Sequence, residues 1–148
     1  MNLEQFKELF NPLPGNHYLQ VCTFEDDVTS LLASLMDRVD GELNIAFYNE
    51  DNLSFSQLFR ARPRDHDMVI IKDVFHKHKN KEMLLKLAYL TLANTANIII
   101  MEKKCLLDVE ATKELLETFE FRAVNEIDIV EGYDIIVGKK MHMWGNGL

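Results

Sequence analysis

Four carboxylates and two imidazoles stand at spacings that could support chemistry. Glu25, Asp26 and Asp27 follow an apolar stretch, "YLQVCT", and Asp73 follows another, "MVIIK". Acids at the ends of neighbouring strands can hold Mg²⁺ through oxygen ligands and offer a carboxylate to a phosphoryl group. Asp26 or Asp27 with Asp73 would be that set. The same three acids also suit the first turn of a helix, where they complement its dipole, and this is the reading we prefer. His76 and His78 could present two imidazoles to Zn²⁺. No third ligand lies at motif spacing and Lys77 and Lys79 repel a cation, so a solvated loop is preferred. Cys22 sits in an apolar strand beside acids that raise a thiol pKa, which favours core packing over nucleophilic work.

Alternating strands and helices must position these groups. Leu3, Phe6, Leu9 and Phe10 share a helical face, which ends before Pro12, Pro14 and Gly15. Residues 17–23 read as a strand, followed by a helix capped by Thr23 with Asp26 three residues on, and closed by Asp40 and Gly41. Strands are expected at 43–48, 68–71 and 97–101, and helices from Lys81 to Ala93 (capped by Asn80) and from Asp108 to Thr118. Residues 49–65 are ambiguous between strand and helical turn. "FRAVNEIDI" and "YDIIVGKK" form an antiparallel hairpin around Glu131 and Gly132. Continuously apolar strands that alternate with helices predict a three-layer α/β fold with a mainly parallel sheet.

Composition narrows the function. The 148 residues, 47% hydrophobic and 27% charged, suit one domain, with 1–16 as an opening helix and loop and 141–148 as a tail. A net charge of −8 argues against nucleic acid or an anionic membrane as partner. No apolar run reaches the roughly 20 residues that span a bilayer. "MNLEQFKELF" lacks the order of a signal peptide, so the expected location is cytoplasmic and the two cysteines are expected to be free thiols.

The stretch "HDMVIIKDVFHKHKNKEMLLKLAYLTLANTANIIIMEKK" (66–104), with "LLETFEFRAV" (115–124) and the closing hairpin, resembles the class I S-adenosylmethionine (AdoMet)-dependent methyltransferases. It is similar to that family's run from fourth to fifth strand and its step into the final hairpin. The resemblance implies a methyltransferase-like sheet and a cofactor seat against Thr23, Phe24, Glu25, Asn49, Glu50, Lys72 and Asp73. Asp73 and His76 would lie nearest a substrate, with His76 as a base.

The chain also departs from the family pattern. Cys22-Thr23-Phe24-Glu25 replaces the acid and Gly-x-Gly loop that admits AdoMet, and Phe24 supplies neither the small size nor the positive φ of glycine. Glu25, Asp26 and Asp27 oppose the AdoMet carboxylate that a helix N-terminus would attract. Asn94-Thr95-Ala96 replaces Pro-Gly-Gly, Glu120-Phe121 replaces Gly-Phe, and only 17 residues separate Tyr48 from His66. The expectation is therefore a shortened, degenerate member: a non-catalytic binding or regulatory module, as a homodimer or with a protein or small-molecule partner. The alternative is an active methyltransferase with an atypical cofactor loop. A third reading is a receiver-like phosphoacceptor domain, though receivers do not end in an antiparallel hairpin.

Two surface features bear on assembly. Acidic loops (25–27, 50–51) and basic ones (77–81, 103–104) fall at the same rim, where they could pair within one chain or across a dimer. The tail carries Met141, Met143 and the single Trp, residues that favour interfaces.

Overall fold

Apolar residues run unbroken along the central strands because helices cover both faces of the sheet. The computed structural model describes residues 1–48 and 62–141. Within these, β1 (His17–Cys22), β2 (Glu42–Phe47), β3 (His66–Lys72), β4 (Leu92–Lys103), β5 (Phe121–Ile127) and β6 (Tyr133–Lys140) form a sheet in the order β2-β1-β3-β4-β6-β5. The first four neighbours are parallel, and β6 runs antiparallel to both β4 and β5. This is the expected architecture.

Successive side chains point to opposite faces. Leu19, Val21, Val69, Ile71, Ile98 and Ile100 pack with Leu84, Leu85 and Ala88 of α3 (Lys81–Thr91) and Leu116 of α4 (Val109–Thr118). Tyr18, Met68, Ile70, Ile99 and Met101 pack with Phe6 of α1 (Glu4–Lys7) and with Val28, Leu32, Leu35 and Met36 of α2 (Asp27–Arg38). Each fully buried Leu or Ile contributes about 1.5–3 kcal/mol, so the two faces anchor the sheet jointly.

Local signals place the helices, with corrections. Asp26, not Thr23, caps α2: its Oδ1 accepts from the amides of Val28 (3.0 Å) and Thr29 (3.3 Å), and Thr29 Oγ1 accepts from the Asp26 amide (3.1 Å). A carboxylate that serves two amides at once outcompetes the hydroxyl three residues earlier. α2 ends as expected, with Asp40 at φ 55° and the Gly41 amide donating to Met36 O at 2.7 Å. A side chain at Gly41 would place Cβ 2.5 Å from Asn16 O, so the turn that leads into β2 requires glycine there.

Asn80 and Asp108 cap α3 and α4 as predicted. However, α3 stops at Thr91 and β4 begins at once with the fully buried Leu92, well before the expected 97. A register shift between His66 and Met68 absorbs the added residues, with Thr95 at φ 69°. The opening helix is one turn, although Phe6 and Phe10 still pack edge to face at 5.3 Å. β5 ends at Ile127, short of the predicted 129. Among the described residues, no helix is long and apolar enough to cross a membrane. The chain leaves β1 for β2 on one side and returns as β3 on the other, so the C-terminal ends of β1 and β3 flank the point where strand order reverses.

Two histidines are buried in this framework. Asn44 Nδ2 donates to His66 Nε2 (2.8 Å), which leaves His66 Nδ1–H to donate to Thr91 Oγ1 (2.8 Å). His78 lies against the Tyr48 ring at 5.6 Å, accepts at Nδ1 from the Asn80 amide, and has no partner at Nε2 among the described residues. Burial lowers the pKa of both, and Lys81 adds to the effect at His78. Because their folded values lie below the ordinary 6.5, the unfolded chain takes up protons first as pH falls. Stability is thus full above pH 6.5 and declines below it. Urea unfolding at pH 7.5 and 5.5 should show a loss of about 1 kcal/mol or more in the wild type, and a smaller loss in His78→Phe.

Candidate functional site

The sharpest electrostatic feature lies at the strand-order reversal. Lys72 ends β3 with only 2% of its side chain exposed, and its Nζ pairs with Asp26 Oδ2 and Asp73 Oδ2, each at 2.6 Å. The Tyr133 ring lies 5.0 Å from the same ammonium. Burial alone would depress the Lys72 pKa, but the two carboxylates outweigh it and hold the ammonium firmly charged. Asp26 therefore uses both oxygens, one on the α2 amides and the other on Lys72. Asp73 takes a left-handed conformation, φ 58°, with its amide bonded to Met101 O at 3.0 Å. That turn brings its carboxylate back over the strand it has just left.

A second pair adjoins this cluster. His76, in a 3₁₀ turn (Phe75–Lys77), meets Glu102 through Nδ1, and the other Glu102 oxygen accepts from the Phe75 amide at 2.9 Å. Glu102 is fully buried at the end of β4; burial pushes its carboxyl pKa up, against the opposing pull of His76. The imidazole is thus oriented by a buried carboxylate, and its second nitrogen has no partner among the described residues.

Both constellations border one cavity of about 410 Å³, lined by Thr23, Phe24, Asp26, Lys72, Asp73, His76, Lys77, Lys103, Leu106 and Tyr133, with Met1 at its edge. A larger cavity of about 500 Å³ lies at the same rim, between α1 and the turn before β6, but none of the residues of the two clusters lines it. Thr23, Phe24, Lys72, Asp73 and His76 are thus brought together as the sequence suggested. Glu25 is exposed and does not line the cavity, while Asn49, Glu50 and Asp51 lie outside the described residues, as does the tail beyond Met141.

Several other expectations are corrected or refined. His76 and His78 do not share a site, and His78 is buried rather than solvated. Asp26 and Asp73 do converge, but on an ammonium; among the described residues no group of three His, Cys, Asp or Glu could hold a metal ion. The acidic loop after β1 pairs with Lys72 rather than with 103–104, where Lys104 turns to Asp128 (3.4 Å) and Asp134 (3.6 Å). Glu102, Lys103 and Tyr133 were not among the candidates. The available signal for the first was a glutamate closing the apolar run "NIIIM".

Comparison with known proteins gives the class of fold. No family model and no curated protein matches the sequence. Among solved structures, a SAM-dependent methyltransferase from Aquifex aeolicus superposes with a TM-score of 0.67 at 12% identity, over 93% of this chain and 89% of that one. Phosphoethanolamine N-methyltransferase 2 of Haemonchus contortus, in complex with phosphomonomethylethanolamine and S-adenosylhomocysteine, gives 0.67 at 8% identity over 93% of this chain. This chain spans 51% of the Haemonchus enzyme's length. A putative methyltransferase complex with the Trm112 activator of Haloferax volcanii gives 0.66 at 10%, over 94% and 88%. The chain has the class I methyltransferase fold.

Two outcomes test the site geometry. Lys72→Met leaves two carboxylates facing each other without a counter-ion and should lower stability by about 3 kcal/mol in urea unfolding; adding Asp73→Asn should recover part of the loss. Burial, then Asp26 and Glu25, push the Cys22 thiol up to about 11, against the ordinary 9.0. Native-state alkylation at pH 8 should therefore modify the exposed Cys105 about a hundredfold faster than Cys22.

Proposed function

We propose that this chain is a methyltransferase-fold module, one unit over 1–148, that has lost ordinary AdoMet binding and acts as a non-catalytic binding or regulatory element of the cytoplasm. The observation that carries this reading is the double use of Asp26. A cofactor carboxylate would be drawn to free amides at the start of α2, but the Val28 and Thr29 amides already serve Asp26. The cationic end of the cofactor's amino acid would meet Lys72, itself cationic and held by two carboxylates. Asp26 and Lys72 together place a carboxylate and an ammonium of the chain's own where a zwitterion would bind. Phe24, 60% exposed, adds bulk where bare backbone would be needed.

Such a module works through what it binds, either a second copy of itself or another protein. The activator complex of the Haloferax neighbour is in keeping with that role. One observation favours the alternative, an active methyltransferase: the His76–Glu102 pair stands beside the cavity as a base would.

AdoMet affinity separates the two. Calorimetry with AdoMet and with S-adenosylhomocysteine should give no saturable heat for the wild-type chain. A micromolar Kd, about −8 kcal/mol, would refute the loss of binding and turn the reading to catalysis.

A further inference from the structure

The acids of the 410 Å³ cavity are spent within the protein, whereas several of its donors are not. Asp26 and Asp73 are both engaged on Lys72, and Asp26 also serves the α2 amides. Glu102 is occupied by His76 and the Phe75 amide. Among the described residues, Lys103 has no carboxylate partner, and Thr23 Oγ1 and Tyr133 Oη have no hydrogen-bond partner. All three residues line the cavity. An open ammonium and open hydroxyls, beside carboxylates already engaged on Lys72, favour an incoming anion, which needs donors and not acceptors. The mouth has a different character: Phe24 and Leu106 line it and are 60% and 49% exposed. Its volume falls within the roughly 300–1,000 Å³ of small-molecule sites.

We propose that this cavity binds a small organic anion, with its carboxylate or phosphate head against Lys103, Thr23 and Tyr133, beside His76, and its apolar body over Phe24 and Leu106. This names the ligand class of the binding module and rests on the reading that AdoMet does not occupy the seat. The two charged heads share one chemistry, and benzoate and phenyl phosphate tell them apart.

Amide NMR titration of the full chain tests it, with phenyl phosphate, benzoate, inorganic phosphate and phenol as probes. One of the two aromatic anions should give saturable shifts at Thr23, His76, Lys103 and Tyr133, with phenol and inorganic phosphate about tenfold weaker or more. Lys103→Glu, at an exposed position, should keep the wild-type unfolding midpoint and weaken binding about tenfold or more. Phe24→Ala should remove the advantage of phenyl phosphate over inorganic phosphate. No saturable shift with either aromatic anion, equal binding of phenol, or unchanged affinity in Lys103→Glu would overturn the assignment. AdoMet titrated into the same sample separates the two claims. AdoMet shifts at these residues sink the loss of cofactor binding, whereas silence from AdoMet and from both aromatic anions sinks only the anion site.

Discussion

A lysine ammonium almost wholly removed from water must keep its counter-charges, and this condition organises one end of the molecule. Lys72 satisfies it with Asp26 and Asp73, and each carboxylate is fixed by something else. Asp26 is locked by capping α2 and Asp73 by a left-handed turn bonded to β4. The cluster therefore ties the start of α2 to the ends of β3 and β4 across the reversal in strand order. Exposed ion pairs of this kind contribute about 0–1 kcal/mol; here the partly buried geometry and doubled contacts make removal of one member costly. The same contacts occupy the groups that the fold ordinarily offers to a ligand.

The neighbouring His76–Glu102 pair obeys the same rule on a smaller scale. Glu102 has no exposure, and both its oxygens are engaged by donors from a single turn of chain. The cavity is bordered by two clusters whose carboxylates are already engaged, and Lys103, Thr23 and Tyr133 are its open donors among the described residues.

Sheet, layers and caps were legible because they depend on local patterns. Unbroken apolar runs at 68–71 and 97–101 dictated buried parallel strands, and Asn80 and Asp108 announced their helices. Less legible was what depends on distant partners. Thr23 and Asp26 are both respectable caps by type, and only the position of Lys72, far along the chain, adds to the case for Asp26. The early start of β4 followed from Leu92 entering the core, which helical periodicity continuing to Ala93 concealed. Thr23, Phe24, Lys72, Asp73 and His76 were found through family position. Glu102 passed as the polar end of a strand because its partner, His76, comes from another element. The burial of His78 against Tyr48 had no signature in a run that reads as lysine-rich and solvated.

The far margin of the sheet carries a different consequence. β5 is its outermost strand, and its ladder with β6 skips between Arg122 and Asn125, where Ala123 adopts φ 53°. A kink of this kind breaks the regular row of amides and carbonyls that a foreign strand would need as a template. Sheet extension from that side, whether into a sister molecule or a fibril, meets a misaligned edge. Any association built on backbone pairing has to begin somewhere other than β5.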